Sequence, residues 1–269
     1  MHTEKPFHPR GLLKHPHTQS MLASFKLRRW FILNRFPQLK TSTRIILETS
    51  EGKLAADINQ HPNPKGHAVL LHGWEGCSNS VYLVSLGTYL YKRGYSVSRL
   101  NLRDHGNTYH LNEGPFHGLC LLEVAEATKQ LCESYGSDTH NLLAGFSMGG
   151  NFSLRIASLA KDLEIPLDAV FAVSPAVRPL STMKALAKGP KLYHHYFRKK
   201  WRRSIQAKQA AWSELYDFNA ALKLETLDEM TDFFVDAGLL PANSAESYLE
   251  GYRVSEQTIE NITVPTFIL

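Results

Sequence analysis

The residues best suited to chemistry are Gly145-Phe146-Ser147-Met148-Gly149, followed by Gly150. A serine in a GxSxG setting becomes a nucleophile when the chain turns so sharply that its Oγ projects above a sheet edge. Gly145 and Gly149 are needed in such a turn because a Cβ there would strike the facing strand or helix. A helix starting just after Ser147 aims backbone N–H groups and the positive end of its dipole at the reacting oxygen. The bland alternative is a tight glycine turn carrying an ordinary serine. The flanking apolar run at 141–144 and the helical stretch from Met148 favour the nucleophile.

A second group, His72-Gly73-Trp74-Glu75-Gly76, follows the apolar run 68–71. Glycines on both sides let this loop approach a substrate carbonyl. The backbone N–H of Trp74, with that of Met148, is then expected to hold the negative oxygen of a tetrahedral intermediate. His72 and Gly73 support the loop, with His72 expected to brace it rather than to act as a base. The alternative is an ordinary strand-end loop. A third cluster, Asn101 to Gly106, contains Arg103, Asp104 and His105 at the carboxyl end of another expected strand. These read as loop supports in preference to catalysts. His110, His117 and Cys77 receive no role.

Elements that could position these groups alternate along the chain. Short β-rich runs fall at 44–48, 54–59, 68–71, 96–102, 141–144, 169–173 and 266–269, several of them continuously apolar, as in strands buried on both faces. Helical stretches lie between them, from the cap residues Ser78-Asn79-Ser80 to Arg93, from Leu119 to Tyr135, and from Met148 to Lys161. Gly94 and Gly136 stop the first two. The pattern predicts an α/β class with a mostly parallel central sheet and helices on both faces. Residues 180–260 interrupt the alternation with helical patterns alone. Thr226 to Glu229 reads as a capping box, and Asn243 to Glu246 as another helix start. Tyr193, Phe197, Trp201 and Ile205 form an apolar stripe. The expected organisation is a basic N-terminal segment at 1–40 packing on the core, a core at 41–179, a helical cap at 180–260, and the start of the next core strand at 261–269.

Composition sets the outer limits. At 269 residues, with 43% hydrophobic and 20% charged residues, the chain can bury a sizeable core, which excludes bulk disorder and collagen-like sequence. No apolar run approaches the ~20 residues that span a bilayer, and the N-terminus lacks the apolar region of a signal peptide. Three cysteines at unrelated spacings argue against a disulfide framework and favour a reducing cytosol. The thirteen histidines are scattered and no HExxH occurs, so no metal is expected.

The net charge of +5 is unevenly spread. Residues 1–40 hold eight Lys/Arg against Glu4, residues 169–213 hold ten and no acid, and residues 214–260 hold eleven acids and two bases. Solvated surfaces of opposite sign that partly neutralise each other are the simple reading. Contact of LRRW (27–30) and RKKWRR (198–203) with anionic headgroups is the functional one, placing the protein in the cytoplasm or against the inner face of the membrane. Nucleic acid is not expected as a partner, because no recognition motif accompanies the charge.

HGWEG, NLRDHG and GFSMGGN, in that order and spacing, resemble the α/β-hydrolase superfamily. HPHTQSML near the N-terminus and ITVPTFIL at 262–269 are similar to the YheT-like branch, also called the AB hydrolase 4 family. The resemblance covers essentially the whole chain. It implies serine hydrolase activity on carboxylic esters, often lipid or short-chain acyl esters, with no cofactor; some relatives transfer the acyl group to alcohols. It also implies a triad acid after the strand that begins at Thr266 and a histidine after a later strand. The sequence stops at Leu269, inside that strand, so a last strand, its helix and both triad partners are expected to be missing and the chain to be poorly active. A different class of function stays open as well, a non-catalytic binding protein that keeps the pocket and uses its basic stretches on membranes.

Overall fold

The computed structural model describes residues 8–23, 25–136 and 139–269. Glu4 and Lys5, two of the charged residues counted near the N-terminus, lie outside the described residues.

Two helices open the described chain, α1 (Pro16–Ala23) and α2 (Lys26–Arg35). The segment read as simply basic therefore has helical structure of its own. Strands β1 (Thr43–Glu48) and β2 (Lys53–Asn59) form an antiparallel hairpin, and β2 pairs antiparallel with β4. Strand β3 (Gly66–Leu71), helix α3 (Val81–Tyr91), strand β4 (Tyr95–Asn101), helix α4 (Leu121–Gly136), strand β5 (His140–Phe146), helix α5 (Met148–Leu159) and strand β6 (Ala169–Val173) follow. With the last strand, β7 (Thr266–Ile268), the sheet runs β1-β2-β4-β3-β5-β6-β7, and every pair from β4 onwards is parallel. The expected mostly parallel α/β sheet is thus present, with an antiparallel flank.

Period-two alternation explains the layering. Every residue of β3 is buried. Its Ala68 and Leu70 pack on Leu83 of α3, whereas Val69 and Leu71 pack with Val124 and Leu131 of α4 and Phe152 and Ile156 of α5. Helices therefore cover both faces, and the central strands read as unbroken apolar runs because neither face meets water. Gly94 follows α3 at φ +87°.

Between β6 and the last strand come α6 (Pro179–Lys188), α7 (Lys191–Ala211), α8 (Leu227–Asp236), α9 (Ala245–Gly251) and α10 (Glu256–Glu260), before β7 (Thr266–Ile268). These helices share a core of their own, built on Ile205, Phe218, Met230, Phe234 and Tyr252. The Thr226–Glu229 capping box is formed, with Thr226 Oγ1 accepting from the Glu229 N–H at 3.1 Å. The helix start read at Asn243 to Glu246 is formed, with Ser244 as its cap, pairing with Ser247. A serine hydroxyl reaches its own third residue as readily as a longer side chain would, so Glu246 is not needed. Likewise Ser80 starts α3 without a side-chain cap, because its Oγ accepts from the Cys77 N–H at 3.0 Å.

Candidate active site

The register of the sheet brings the two glycine loops together. Leu71, the last residue of β3, lies opposite Gly145 of β5, so the loops leaving both strands emerge side by side. Ser147 sits between β5 and α5 at φ +53° and ψ −113°, a conformation that costs a non-glycine residue of order 1–3 kcal/mol. The surroundings hold it there. Its N–H donates to Val173 O at 3.0 Å, and its carbonyl accepts from the N–H groups of Asn151 and Ala176. A Cβ at Gly145 would stand 2.1 Å from Gly149 O, and one at Gly149 would stand 2.5 Å from both Leu71 O and His72 O. Neither position tolerates a side chain while the elbow keeps its shape.

Ser147 is exposed, and its Oγ makes no hydrogen bond among the described residues. It opens onto a cavity of about 320 Å³ whose walls include Met183, Leu186, Ile205, Phe234 and Leu240 from the helices after β6. Gly73 runs against Ser147: a Cβ placed on it would lie 3.2 Å from Ser147 Cβ and 3.7 Å from Oγ.

The hydrogen bonds of this loop leave one donor over. Gly73 N–H donates to Tyr82 Oη, Glu75 N–H to His105 Nε2, Gly76 N–H to Gly73 O, and Cys77 N–H to Ser80 Oγ. From Gly73 to Cys77 the N–H of Trp74 alone has no acceptor among the described residues. The N–H of Met148, at the first position of α5, has none either, as expected at a helix N-terminus. The two amides named from the sequence are thus among those left without partners beside Ser147, together with the N–H groups of Gly149 and Gly150 in the first turn of α5.

Both nearby histidines are fully engaged. His72 Nε2 accepts from the Leu102 N–H at 3.1 Å, so its Nδ1–H donates to Gly73 O at 2.8 Å. His105 Nε2 accepts from the Glu75 N–H, and its Nδ1–H donates to Arg103 O at 2.7 Å. Burial pushes His105 down to about 4 and holds His72 well below its ordinary value, so both are neutral braces near pH 7. Neither has a free nitrogen for Ser147. Arg103 pairs with the buried Glu123, and Asp104, at φ +58°, accepts from the Phe116 N–H and from Lys208 of α7. This cluster supports the loops. His110 is exposed, and His117 lies 3.4 Å from Cys120 Sγ.

The part played by α7 is not evident from the sequence. The Trp74 ring stacks on Phe197 at 5.4 Å and meets Trp201 edge-on. Lys200 Nζ donates to Glu75 O at 2.5 Å, and Ser204 Oγ donates to Glu75 Oε2 at 2.7 Å. Lys208 Nζ reaches Asp104 Oδ1 at 2.9 Å and two carbonyls, those of Asn112 and Gly114. One helix therefore clamps both the loop that carries the Trp74 amide and the loop after β4. Glu75 lines the cavity, where burial pushes its carboxyl up to about 7 against the opposing pull of Ser204 and Lys200. The apolar stripe on α7 hints at the stacking, but nothing local marks Lys208 as buried. The expected neutralisation of the basic stretch is partly met, since Arg198 and Arg202 both pair with Glu225.

Residues 67–230, more than half of the chain, match the family described as the α/β-hydrolase fold. The chain belongs to that family. Similar solved structures include the esterase Pf2001 of Pyrococcus furiosus, 22% identical with a TM-score of 0.46, covering 62% of this chain and 65% of its own. XC6422 of Xanthomonas campestris, described as an α/β serine hydrolase without lid, is 21% identical with a TM-score of 0.42, covering 51% and 62%. Est1E of Butyrivibrio proteoclasticus with bound ferulic acid is 21% identical with a TM-score of 0.42, covering 52% and 56%. The matches thus span less than two thirds of the length of each of these proteins. No curated protein matches the chain.

Proposed function

We propose that the chain is a serine hydrolase of the YheT-like branch that acts on carboxylic esters. Ser147 Oγ attacks the acyl carbonyl and forms the new C–O bond. The Trp74 and Met148 amides receive the carbonyl oxygen as it becomes negative, and the alcohol leaves when the C–O bond of the ester breaks. The apolar cavity takes the acyl chain, which favours lipid or other acyl esters over charged substrates. The HPHTQSML and ITVPTFIL motifs support the branch. One observation carries the reading: the free hydroxyl of a strained serine stands beside the single unpaired N–H of the Gly73 loop.

The proton of Ser147 needs a base, and a serine without one is a poor nucleophile near neutral pH. His72 and His105 are spent on the loops, so neither is that base. This same observation favours a second reading, a binding protein that retains the cavity without catalysis. Incubation with a fluorophosphonate, with and without added imidazole as an external base, separates the two. A single adduct on Ser147, formed faster with imidazole and absent in Ser147→Ala, is expected; an adduct elsewhere, or none, refutes the nucleophile. Product analysis with added alcohol then distinguishes hydrolysis from acyl transfer.

A further inference from the structure

Helix α2 carries apolar side chains on two faces. Ile32 and Leu33 are half-buried, and the helix is held near α3 by Arg28, which donates to Ser85 Oγ, and Arg29, which donates to Asn79 O. Leu27, Trp30 and Phe31 are spaced by three and four residues and so share a different face. They are 55%, 59% and 62% exposed, with the Trp30 and Phe31 rings in edge contact at 5.0 Å. Phe25, Leu22 and Leu12 extend the exposed apolar surface along the same segment. Isolated apolar residues on a surface are ordinary, but a contiguous aromatic stripe is not.

The charge around the stripe has one sign. Arg10, Lys14, Arg28, Arg29 and Arg35 lie in this segment, and no acidic residue occurs between His8 and Lys40. The segment also joins the second basic region of the chain. His17 of α1 bonds Tyr193 Oη of α7 at 2.8 Å. Helix α7 leaves Leu192 and Tyr196 exposed beside the exposed Lys199 and Arg203, while its Phe197 and Trp201 line the cavity.

We infer that α2, with the outer side of α7, is a docking face for an anionic lipid bilayer. Rings of Trp and Phe at the headgroup level gain from leaving water, and arginines beside them meet the phosphates. The charge argument selects this occupant. A nucleic-acid duplex would satisfy the arginines but keeps its bases stacked inside and would leave the Leu-Trp-Phe stripe in water. A second copy of this chain would set the same basic face against itself.

Flotation of the 269-residue chain on vesicles tests the inference without using Ser147. Binding to vesicles of equal phosphatidylcholine and phosphatidylglycerol is expected at low salt, with little binding to phosphatidylcholine alone. Raised salt should release the protein. Trp30→Ala with Phe31→Ala should lower the bound fraction about tenfold, and Lys199→Glu with Arg203→Glu should lower it by a smaller factor. Equal binding to both vesicle types, no binding, or unchanged binding by the Trp30/Phe31 variant would overturn the proposal. So would a parent dimer that this variant converts to monomer, or tighter binding to a DNA duplex than to vesicles. Ser147→Ala should float like the parent, so a failure here leaves the nucleophile untouched, and the reverse also holds.

Discussion

The two sides of Ser147 are built differently. Toward the sheet centre, β3 and β5 are deeply buried and their loops are bonded at almost every donor, leaving the Trp74 and Met148 amides unpaired. Toward the edge, β7 is three residues long, and Phe267, Ile268 and Leu269 are 50%, 56% and 71% exposed. No side chain on that flank bonds Ser147 Oγ. In the proposed mechanism these amides would meet the developing negative charge from the rigid centre, without rearrangement during reaction. Proton transfer calls for a group that the described residues do not place against the hydroxyl.

The largest expected effects test the central side. Ser147→Gly should abolish fluorophosphonate labelling, while relief of the positive φ raises stability by about 1 kcal/mol in thermal or urea unfolding. A loss of stability would mean that the elbow is not strained. Lys208→Ala should follow, with a cost of about 3–5 kcal/mol, because it leaves Asp104 charged in a site where burial already raises its carboxyl and lowers the lysine. Unchanged unfolding would show that α7 does not clamp the loop after β4. Gly149→Ala should cost about 3 kcal/mol, since the backbone carbonyls it would strike belong to a central strand and cannot yield cheaply.

Smaller effects concern pH. The folded pKa of Glu75, about 7, lies above its ordinary 4.5, so its contribution is full below 4.5 and is lost as pH rises toward 7. Glu75→Gln should remove that loss and flatten the melting temperature over this window by a few degrees. His67, His105 and His117 behave oppositely. Burial brings each down to about 4 from 6.5, so their contribution is present above 6.5 and is lost as pH falls toward 4. Melting scans from pH 4 to pH 8 should show the acid limb in both proteins and the Glu75 limb only in the parent. The edge gives the smallest effect: Ile268→Lys should reduce self-association in light scattering with little change in melting, because a lysine on an open strand discourages pairing.

Legibility followed the range of the physics. Each strand appeared in the sequence within two residues of its position, because an apolar run such as 68–71 is fixed by burial on both faces. The GxSxG turn was legible because backbone crowding permits only glycine at 145 and 149. The helices of the N-terminal segment were not, since LRRWFILNR lacks caps and leaves an apolar stripe toward solvent. The start of α9 at 243–246 was legible as well, because Asn and Ser are both strong caps.

The sequence by itself determined the glycine elbow, the glycine loop after β3 and the α/β alternation, since each depends on neighbours within a few residues. The tertiary structure alone decided which histidines are free and what holds the Trp74 amide in place. His72 and His105 read as loop supports in the sequence, but only the fold supplies their partners, Leu102 N–H and Glu75 N–H, from other loops. Glu75, Ser204 and Lys208 carry no local mark of their contacts, which form because helix α7 crosses from about 100 to 130 positions away along the chain. Contacts at that separation leave no periodic trace in the sequence, and only the folded path of the chain brings them together.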